Sequence, residues 1–305
     1  MAVYVNELLD KWTAAGSETR KRWVLYAAAL HGGADMSDRL YQLFQEWTKK
    51  SDTVAAEALR ALALSLRPRA LLIVDGISRK FKTQKMKRAA KKALTTAASW
   101  RGTTREGLLD KTVPDLGFDE KMERCFDYGE RRFTVTITTA LEVQAFDMNG
   151  KKIKNLPAPT KKDDETKAVA AYEEFKQLKK QLKTVVADQK IRMETALVNG
   201  REWSIQAWQD LFVRNPVMHQ FAIGLVWGIY EDRKLVAGFR YMEDGSFVTE
   251  NGEEFKLWEK STLSKNSKIG IVHPIELTEE NLQAWKEHRA EEVQPYLAFL
   301  LCFSL

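Results

Sequence analysis

The chain has 305 residues, 44% of them hydrophobic and 30% charged with both signs interspersed. That composition excludes a disordered chain and gives enough length for two domains with a core each. The net charge of +6 is uneven: residues 1–112 hold 21 Lys and Arg against 11 Asp and Glu (+10), and residues 113–305 hold 27 against 31 (−4). Two separate units are therefore expected, with the first one better suited to meet a polyanion.

No apolar run reaches about 18 residues, so no transmembrane helix is expected. The N-terminus lacks the basic-then-apolar layout of a signal peptide. Cys125 and Cys302 stand far apart in no ligand-like spacing. Two free thiols in a reducing, cytoplasmic setting are expected.

From Val5 to about Trp100 the periodicity is helical. Leu8, Leu9 and Trp12 mark a first helix. Ser17 is expected to cap a second, with Trp23, Leu25, Tyr26, Ala29 and Leu30, which His31-Gly32-Gly33 ends. Met36, Leu40, Leu43, Phe44 and Trp47 fall on one face of a third. Asp52 is expected to cap a fourth over 53–66, before the Arg67-Pro68 break. Leu71, Leu72, Val74 and Ile77 form a fifth, and 83–100 a sixth. Short connectors between such helices suggest a HEAT-like array over 1–112, although no strict period is visible.

One stretch of this array stands out chemically. Arg79, Lys80, Lys82, Lys85, Lys87, Arg88, Lys91 and Lys92 place eight bases in 14 residues with no acid among them. On a helix Lys85, Arg88 and Lys92 share a face, while Met86, Ala90, Ala93, Leu94 and Ala97 point toward a core. Such a face is either merely solvated or neutralises the charges of a nucleic acid or an acidic protein. Phe81 is alone in the run, so the interleaved aromatics of single-strand stacking are missing from it.

Residues 101–118 read as a compact connector, too apolar for a flexible linker. Thr103 or Thr104 caps a short helix through Leu109, and Val113-Pro114 ends it. Docked units are expected. Beyond it the period becomes 2: Phe133, Val135 and Ile137 alternate with threonines in a strand, and a second strand leads into the Asn149-Gly150 turn. After Pro157-Ala158-Pro159, the acids Asp163, Asp164 and Glu165 open a long charged helix over 163–198. Its expected apolar stripe is Val169, Tyr172, Phe175, Leu178, Leu182, Val185 and Val186.

Residues 201–245 are the densest in large apolar side chains and turn signals. Ser204 caps a helix with Trp208, Leu211 and Phe212; Asn215-Pro216 ends it; a second helix carries Phe221, Leu225 and Val226. Lys234 to Tyr241 is strand-like, and Asp244-Gly245 turns the chain. Short strands are expected at 247–248, 255–257 and 269–272, then a helix with Leu282 and Trp285. The fold class is therefore α+β: an N-terminal helical array packed on a C-terminal mixed domain (113–305) with a mainly antiparallel sheet.

No catalytic motif appears. His31, His219, His273 and His288 lie far apart, and the chain has no HExxH, CxxC, Walker loop, GxGxxG or GxSxG. No cofactor or metal is implied. The residues worth locating as a ligand cleft are Tyr128, Arg131, Trp227, Arg240, Asp244 and His273. Each also has a structural reading: core tryptophan, hairpin turn, ion pair, or a strand-end histidine bonded to backbone. The partner-binding candidates are Arg79, Lys80, Lys82, Lys85, Arg88 and Lys92.

The order LLDKTVPDLGFD, DYGERRFTV, NGKKIKNLPAPTKKDD, R-x-W with NP, LVWG, FRYMEDG, IVHPIEL and VQP resembles the bacterial MolR-like family over about residues 100–297. The resemblance implies a domain of undefined activity, often beside WGR modules and helical repeats, with no established catalytic residue or cofactor. WGR neighbours point to nucleic-acid settings by analogy alone, and here Trp227-Gly228 is followed by Ile229 rather than arginine. The family pattern continues after Gln-Pro with a Gln and an Arg-containing helix. Here an apolar run, 296–305, follows instead, so a longer protein or a tail docked in a core is expected. The function expected from all this is a non-catalytic interaction module with an acidic protein or a nucleic acid as its partner. The alternative is a ligand-binding or enzymatic cleft around the six residues above.

Overall fold

In a computed structural model the chain divides into two compact units, Met1–Val113 and Pro114–Leu305. Residues 1–258, 263–264, 266–273 and 276 are described. The expected helix around Trp285, the apolar run 296–305, His288 and Cys302 lie outside them.

Unit 1 is helical: α1 (Ala2–Ala14), α2 (Trp23–His31), α3 (Met36–Lys50), α4 (Asp52–Leu64), α5 (Pro68–Lys80), α6 (Gln84–Trp100) and α7 (Arg105–Asp110). α4 packs against α2, α3, α5 and α6. Its alanines permit this, because Ala55, Ala58, Ala61 and Ala63 are buried beside Leu59 and Leu62 around most of the helix. Small side chains let several neighbours approach one helix without voids. Helix starts follow local chemistry. Pro68 sits in the first turn of α5, where its missing N–H costs nothing. Thr104 accepts from the Gly107 amide at 3.0 Å to open α7.

Two caps differ from expectation. Ser17 does not cap α2: it lies in the left-handed region at φ 57°, buried, and its hydroxyl accepts from the Trp47 indole at 3.1 Å. A 3-10 turn, Thr19–Lys21, leads into α2 instead. Asp52 is already helical, and Ser51 is the cap, accepting from Val54 N at 3.4 Å. Ser17 is held by a tertiary bond to Trp47, and at α4 the adjacent serine takes the cap that Asp52 was expected to fill.

Unit 2 contains two antiparallel sheets. β1 (Glu123–Asp127), β2 (Arg132–Ile137), β3 (Val143–Phe146) and β4 (Lys152–Ile153) form a meander in that order. Phe133, Val135 and Ile137 are buried as the alternation requires. α8 (Glu165–Val198) follows, capped by Asp164 on the Lys167 amide at 3.0 Å. It packs on β1 through Phe175, edge-on to Phe126 at 5.7 Å. Its stripe is shifted from expectation: Ala168 and Ala171 are buried and Val169 is half exposed.

The second sheet has the order β5-β9-β6-β7-β8. It comprises β5 (Glu202–Ser204), β6 (Val226–Glu231), β7 (Lys234–Tyr241), β8 (Phe247–Val248) and β9 (Lys268–Ile271). Between β5 and β6 lie α9 (Ile205–Trp208), a π-helical turn (Gln209–Val213) and α10 (Pro216–Ile223). Ser204 caps α9 and Asn215 caps α10. Val226 begins β6 rather than ending the helix before it. Gly224 stops α10, and an apolar run alone does not separate helix from buried strand. Residues 255–257 are not a strand; only a bridge between Val248 and Glu254 forms there.

A glycine lane crosses the sheet, with Gly228 of β6 opposite Gly238 of β7 and Gly270 of β9. The Tyr230 ring fills it: a Cβ on Gly228 or Gly270 would meet Tyr230 Cε2 at 2.9 or 3.0 Å. At the centre of the unit Trp208 is fully buried, with the rings of Trp227, Phe239, Tyr241, Phe212, Phe247 and Trp258 at 5.3 to 6.4 Å.

Candidate functional site

The basic run falls on the end of α5, a three-residue connector and the first half of α6. Phe81 in the connector packs against Phe44 of α3, with ring centroids at 5.3 Å, so it belongs to the core and fixes the turn. Met86, Ala90, Ala93, Leu94, Ala97 and Ala98 bury the opposite side of α6 against α4 and α5. Lys80, Lys82, Lys85, Arg88, Lys91 and Lys92 are exposed, while Lys87 is half-buried.

Arg79 does not join this face. It reaches back one turn to pair with Asp75 at 3.0 Å, and Asp75 is itself buried and also holds Ser78. Removing the guanidinium would leave a buried carboxylate without its counter-charge. Lys85 pairs with Asp52 at 2.8 Å, but both ends are well exposed, so the pair contributes little.

The placement of these charges opposes the helix dipole. A helix N-terminus favours acids and its C-terminus favours bases. α3, α4 and α7 follow this with Asp38, Asp52 and Glu106 in their first turns, whereas α1, α2 and α5 have no acid there. α6 has no acid in its first turn and no base in its last; Lys85 and Lys87 occupy the first turn instead. The positive end of the dipole and the cations reinforce each other, which costs folding stability and concentrates positive potential. From Gly76 to Arg105 the chain contains no acid at all.

The six cleft candidates are not gathered in one place. Tyr128 and Arg131 sit in the β1–β2 hairpin of the first sheet; the other four belong to the second-sheet region. Tyr128 is fully buried, donates to the Pro157 carbonyl at 3.0 Å, and has its phenol pushed up to about 12 by burial. Arg131 grips Asp163 through two bonds of 2.8 and 2.5 Å and lies over the Tyr128 and Phe133 rings. The Arg131 hydrogen bond holds the Asp163 carboxyl well below the usual range, with Thr160 helping. Together these residues latch the hairpin to the start of α8.

Trp227 is fully buried and donates to the Ala222 carbonyl at 3.0 Å, so it lines no open cleft. Asp244 accepts from the Ser246 hydroxyl and amide at 2.6 and 2.9 Å, closing its own turn; those bonds lower its pKa. Arg240 is half-buried in β7, opposite Val226 and Val248, and His273 is half-buried just after β9. The histidine with a built environment is His219 on α10. It is buried, its Nδ1 lies 3.1 Å from the Tyr241 hydroxyl, and burial lowers its pKa against a hydrogen bond to the Val213 backbone. That backbone bond needs one ring N–H, so Nδ1 accepts from Tyr241.

Sequence reasoning missed two features. One is a polar concavity of about 620 Å³ bordered by Glu202, Tyr230, Arg233, Ser267 and Lys268. Asp232 and Arg233, both at positive φ (47° and 65°), form its turn where glycine or asparagine is usual. The hydroxyl of Tyr230, one of its bordering residues, donates to Glu276. Three segments distant in sequence meet at this point, and no local motif announces it. The other is Trp100, 76% exposed at the end of α6; its position before Arg101-Gly102 at a helix end was the available signal.

Among the described residues no group of three or more His, Cys, Asp or Glu is placed to hold a metal, and no helix is long and apolar enough to cross a membrane.

An all-helical unit followed in the chain by an α+β unit, with a charged helix face, defines a class by architecture. Residues 150–296 match the model of a family described as "Domain of unknown function (DUF4132)". The chain is also 31% identical over 284 residues to the uncharacterized protein YehI of Escherichia coli (strain K12), covering 92% of this chain and 23% of that protein. These matches support a bacterial family of unknown function. The chain spans about a quarter of the length of that curated relative. No solved structure matches it.

Proposed function

We propose that this chain is a non-catalytic interaction module of a cytoplasmic bacterial protein in the MolR-like class. In this reading unit 1 is a HEAT-like array that presents the α6 face to a polyanionic partner, a nucleic acid or an acidic protein segment. The observation that carries the proposal is the set of exposed cations, Lys82, Lys85, Arg88, Lys91 and Lys92, concentrated toward the N-terminal end of α6 against the helix dipole. The fold gains little from that arrangement beyond the exposed Lys85–Asp52 pair, whereas a polyanion gains from all of it.

The test is a triple reversal, Lys85→Glu, Arg88→Glu and Lys92→Glu. The parent chain is expected to bind heparin, oligonucleotides or poly-glutamate at low salt, with affinity falling linearly on a log–log salt plot. Each lost phosphate contact should reduce that slope by about 0.7 to 0.9. Unchanged binding in the triple variant, or none in the parent at low salt, would sink the proposal.

A second reading, small-ligand binding by unit 2, rests on the concavity beside Tyr230 and Lys268, where polar groups from β5, β6 and the segment before β9 converge. A thermal-shift screen comparing the parent chain with Lys268→Ala tests it; a screen without any stabilising compound counts against it.

A further inference from the structure

We infer that the α6 face takes single-stranded nucleic acid, with Trp100 as the stacking platform for an unpaired base. This rests on the polyanion reading above and names its partner. Four observations carry it.

First, the exposed arc of α6 is continuous. Lys85, Arg88 and Lys92 share a face with Thr96 and Ser99, whose hydroxyls donate to the Lys92 and Thr95 carbonyls at 3.0 Å each. α6 itself contributes no acid to the track; one carboxylate from α4, Asp52, meets it at Lys85, at 2.8 Å. Second, an indole stands at its end. Trp100 is 76% exposed and makes no ring contact among the described residues, unlike Trp12, Trp47, Trp208 and Trp227, which pack against other rings. The next residue, Arg101, is exposed and cationic. At 1.5 Å per residue, Lys85 and Trp100 lie about 22 Å apart along the helix, a span of several nucleotides.

Third, the charges are mostly lysines, compact point charges that follow a phosphodiester backbone without the planar, paired geometry by which arginine grips carboxylates. Fourth, a platform at the end of a convex helix needs a base whose face is open. A duplex hides its base faces within the stack, and an acidic peptide has none to offer. A cationic track ending in an exposed aromatic therefore fits a single strand.

The experiment uses the full chain and fluorescence anisotropy with labelled oligo(dT), an abasic deoxyribose-phosphate oligomer of equal length, a DNA duplex and poly-glutamate. Oligo(dT) is expected to bind most tightly. Trp100→Leu should weaken oligo(dT) by roughly 5- to 150-fold, the worth of one stacked base, and leave the abasic oligomer unaffected. Trp100→Phe should restore most of the loss. Lys85→Glu/Arg88→Glu/Lys92→Glu should weaken every anion. Equal binding of oligo(dT) and the abasic oligomer, or Trp100→Leu without effect while the triple reversal still abolishes binding, overturns the single-strand assignment and leaves the polyanion reading standing. Poly-glutamate or duplex preferred over oligo(dT) does the same. No binding of any anion at low salt overturns both.

Discussion

Trp208 gives the sharpest test of how unit 2 is held together. Its side chain is fully buried, and six aromatic rings approach it, from Trp227 at 5.3 Å to Trp258 at 6.4 Å. Trp208→Ala removes the part every one of them touches. Neighbours contributed by strands and helices alike cannot all collapse inward, so the cost lies in the upper part of the large-to-small range, about 3 to 5 kcal/mol. For a unit of this size that corresponds to a fall in Tm of roughly 6 to 20 °C. The indole Nε1–H, however, is buried with no hydrogen-bond partner. A buried unpaired donor carries a desolvation penalty of about 1 to 3 kcal/mol. Trp208→Phe keeps one ring and removes that donor, so it is expected to stay within about 1.5 kcal/mol of the parent chain. Urea unfolding followed by near-UV circular dichroism measures both. The reasoning fails if Phe costs as much as Ala, or if Ala shifts the transition by less than about 1 kcal/mol. Trp100→Ala is the control: an exposed indole should change stability by no more than about 0.5 kcal/mol.

Other outcomes follow from the same geometry. His219 has its folded pKa held below the ordinary value by burial. Unit 2 should therefore keep its full stability above about pH 6.5 and lose it as the pH falls through and below that value, because the unfolded chain then binds the extra proton. Stability measured between pH 8 and pH 5 should flatten in His219→Gln; an unchanged slope refutes the assignment. Asp163 has its carboxyl lowered by Arg131, so its contribution is complete above about pH 4 and is lost on further acidification. Hydrogen exchange at the β1–β2 hairpin and the first turn of α8 should rise together in Arg131→Ala if the latch joins them. Arg79→Ala should destabilise unit 1 by up to about 3 kcal/mol by stranding the Asp75 carboxylate, and leave polyanion affinity nearly unchanged. An equal loss of affinity would put Arg79 back on the binding face.

Much of the fold was legible in the sequence because the signals were local. Pro68, Thr104, Asp164, Ser204 and Asn215 each punctuate an element through their own backbone chemistry. The alternation of Phe133, Val135 and Ile137 can only be a half-buried strand. β6 was not legible, because Leu225-Val226-Trp227 extends an apolar run whose period is ambiguous; its pairing with β7 and β9 decides its conformation. β5 has three residues and exists only through pairing with β9. The cleft candidates illustrate the same limit. Tryptophan density marked residues 201–245, but whether an indole lines a cleft or fills a core depends on what surrounds it, and here Trp208 and Trp227 fill the core. The cationic run was legible as composition. That Arg79 turns inward to Asp75 while Arg88 faces out depends on an i, i+4 pair whose acid happens to be buried.

The orientation of α6 allows the functional reading to be set against stability in one substitution. The first turn of α6 carries no acid, as in α1, α2 and α5 and unlike α3, α4 and α7, and it is the one of these whose first turn holds two lysines. Gln84 occupies the first helical position and is exposed. Gln84→Glu supplies the missing charge at a helix N-terminus, about 0.3 to 1 kcal/mol, and adds an i, i+4 pairing with Arg88, about 0.2 to 0.5 kcal/mol. Unit 1 should therefore become more stable by about 0.5 to 1.5 kcal/mol, a rise of a few degrees in Tm. The same carboxylate stands at the entrance to the cationic face, so polyanion affinity should fall and its salt slope should decrease by nearly one contact. Stability and binding should thus move in opposite directions from a single exposed atom pair exchanged, N for O. If Gln84→Glu leaves stability unchanged or lowers it, the cations are already balanced within the fold and the dipole argument for a binding surface collapses. If stability rises and affinity does not fall, the surface exists but the partner docks elsewhere.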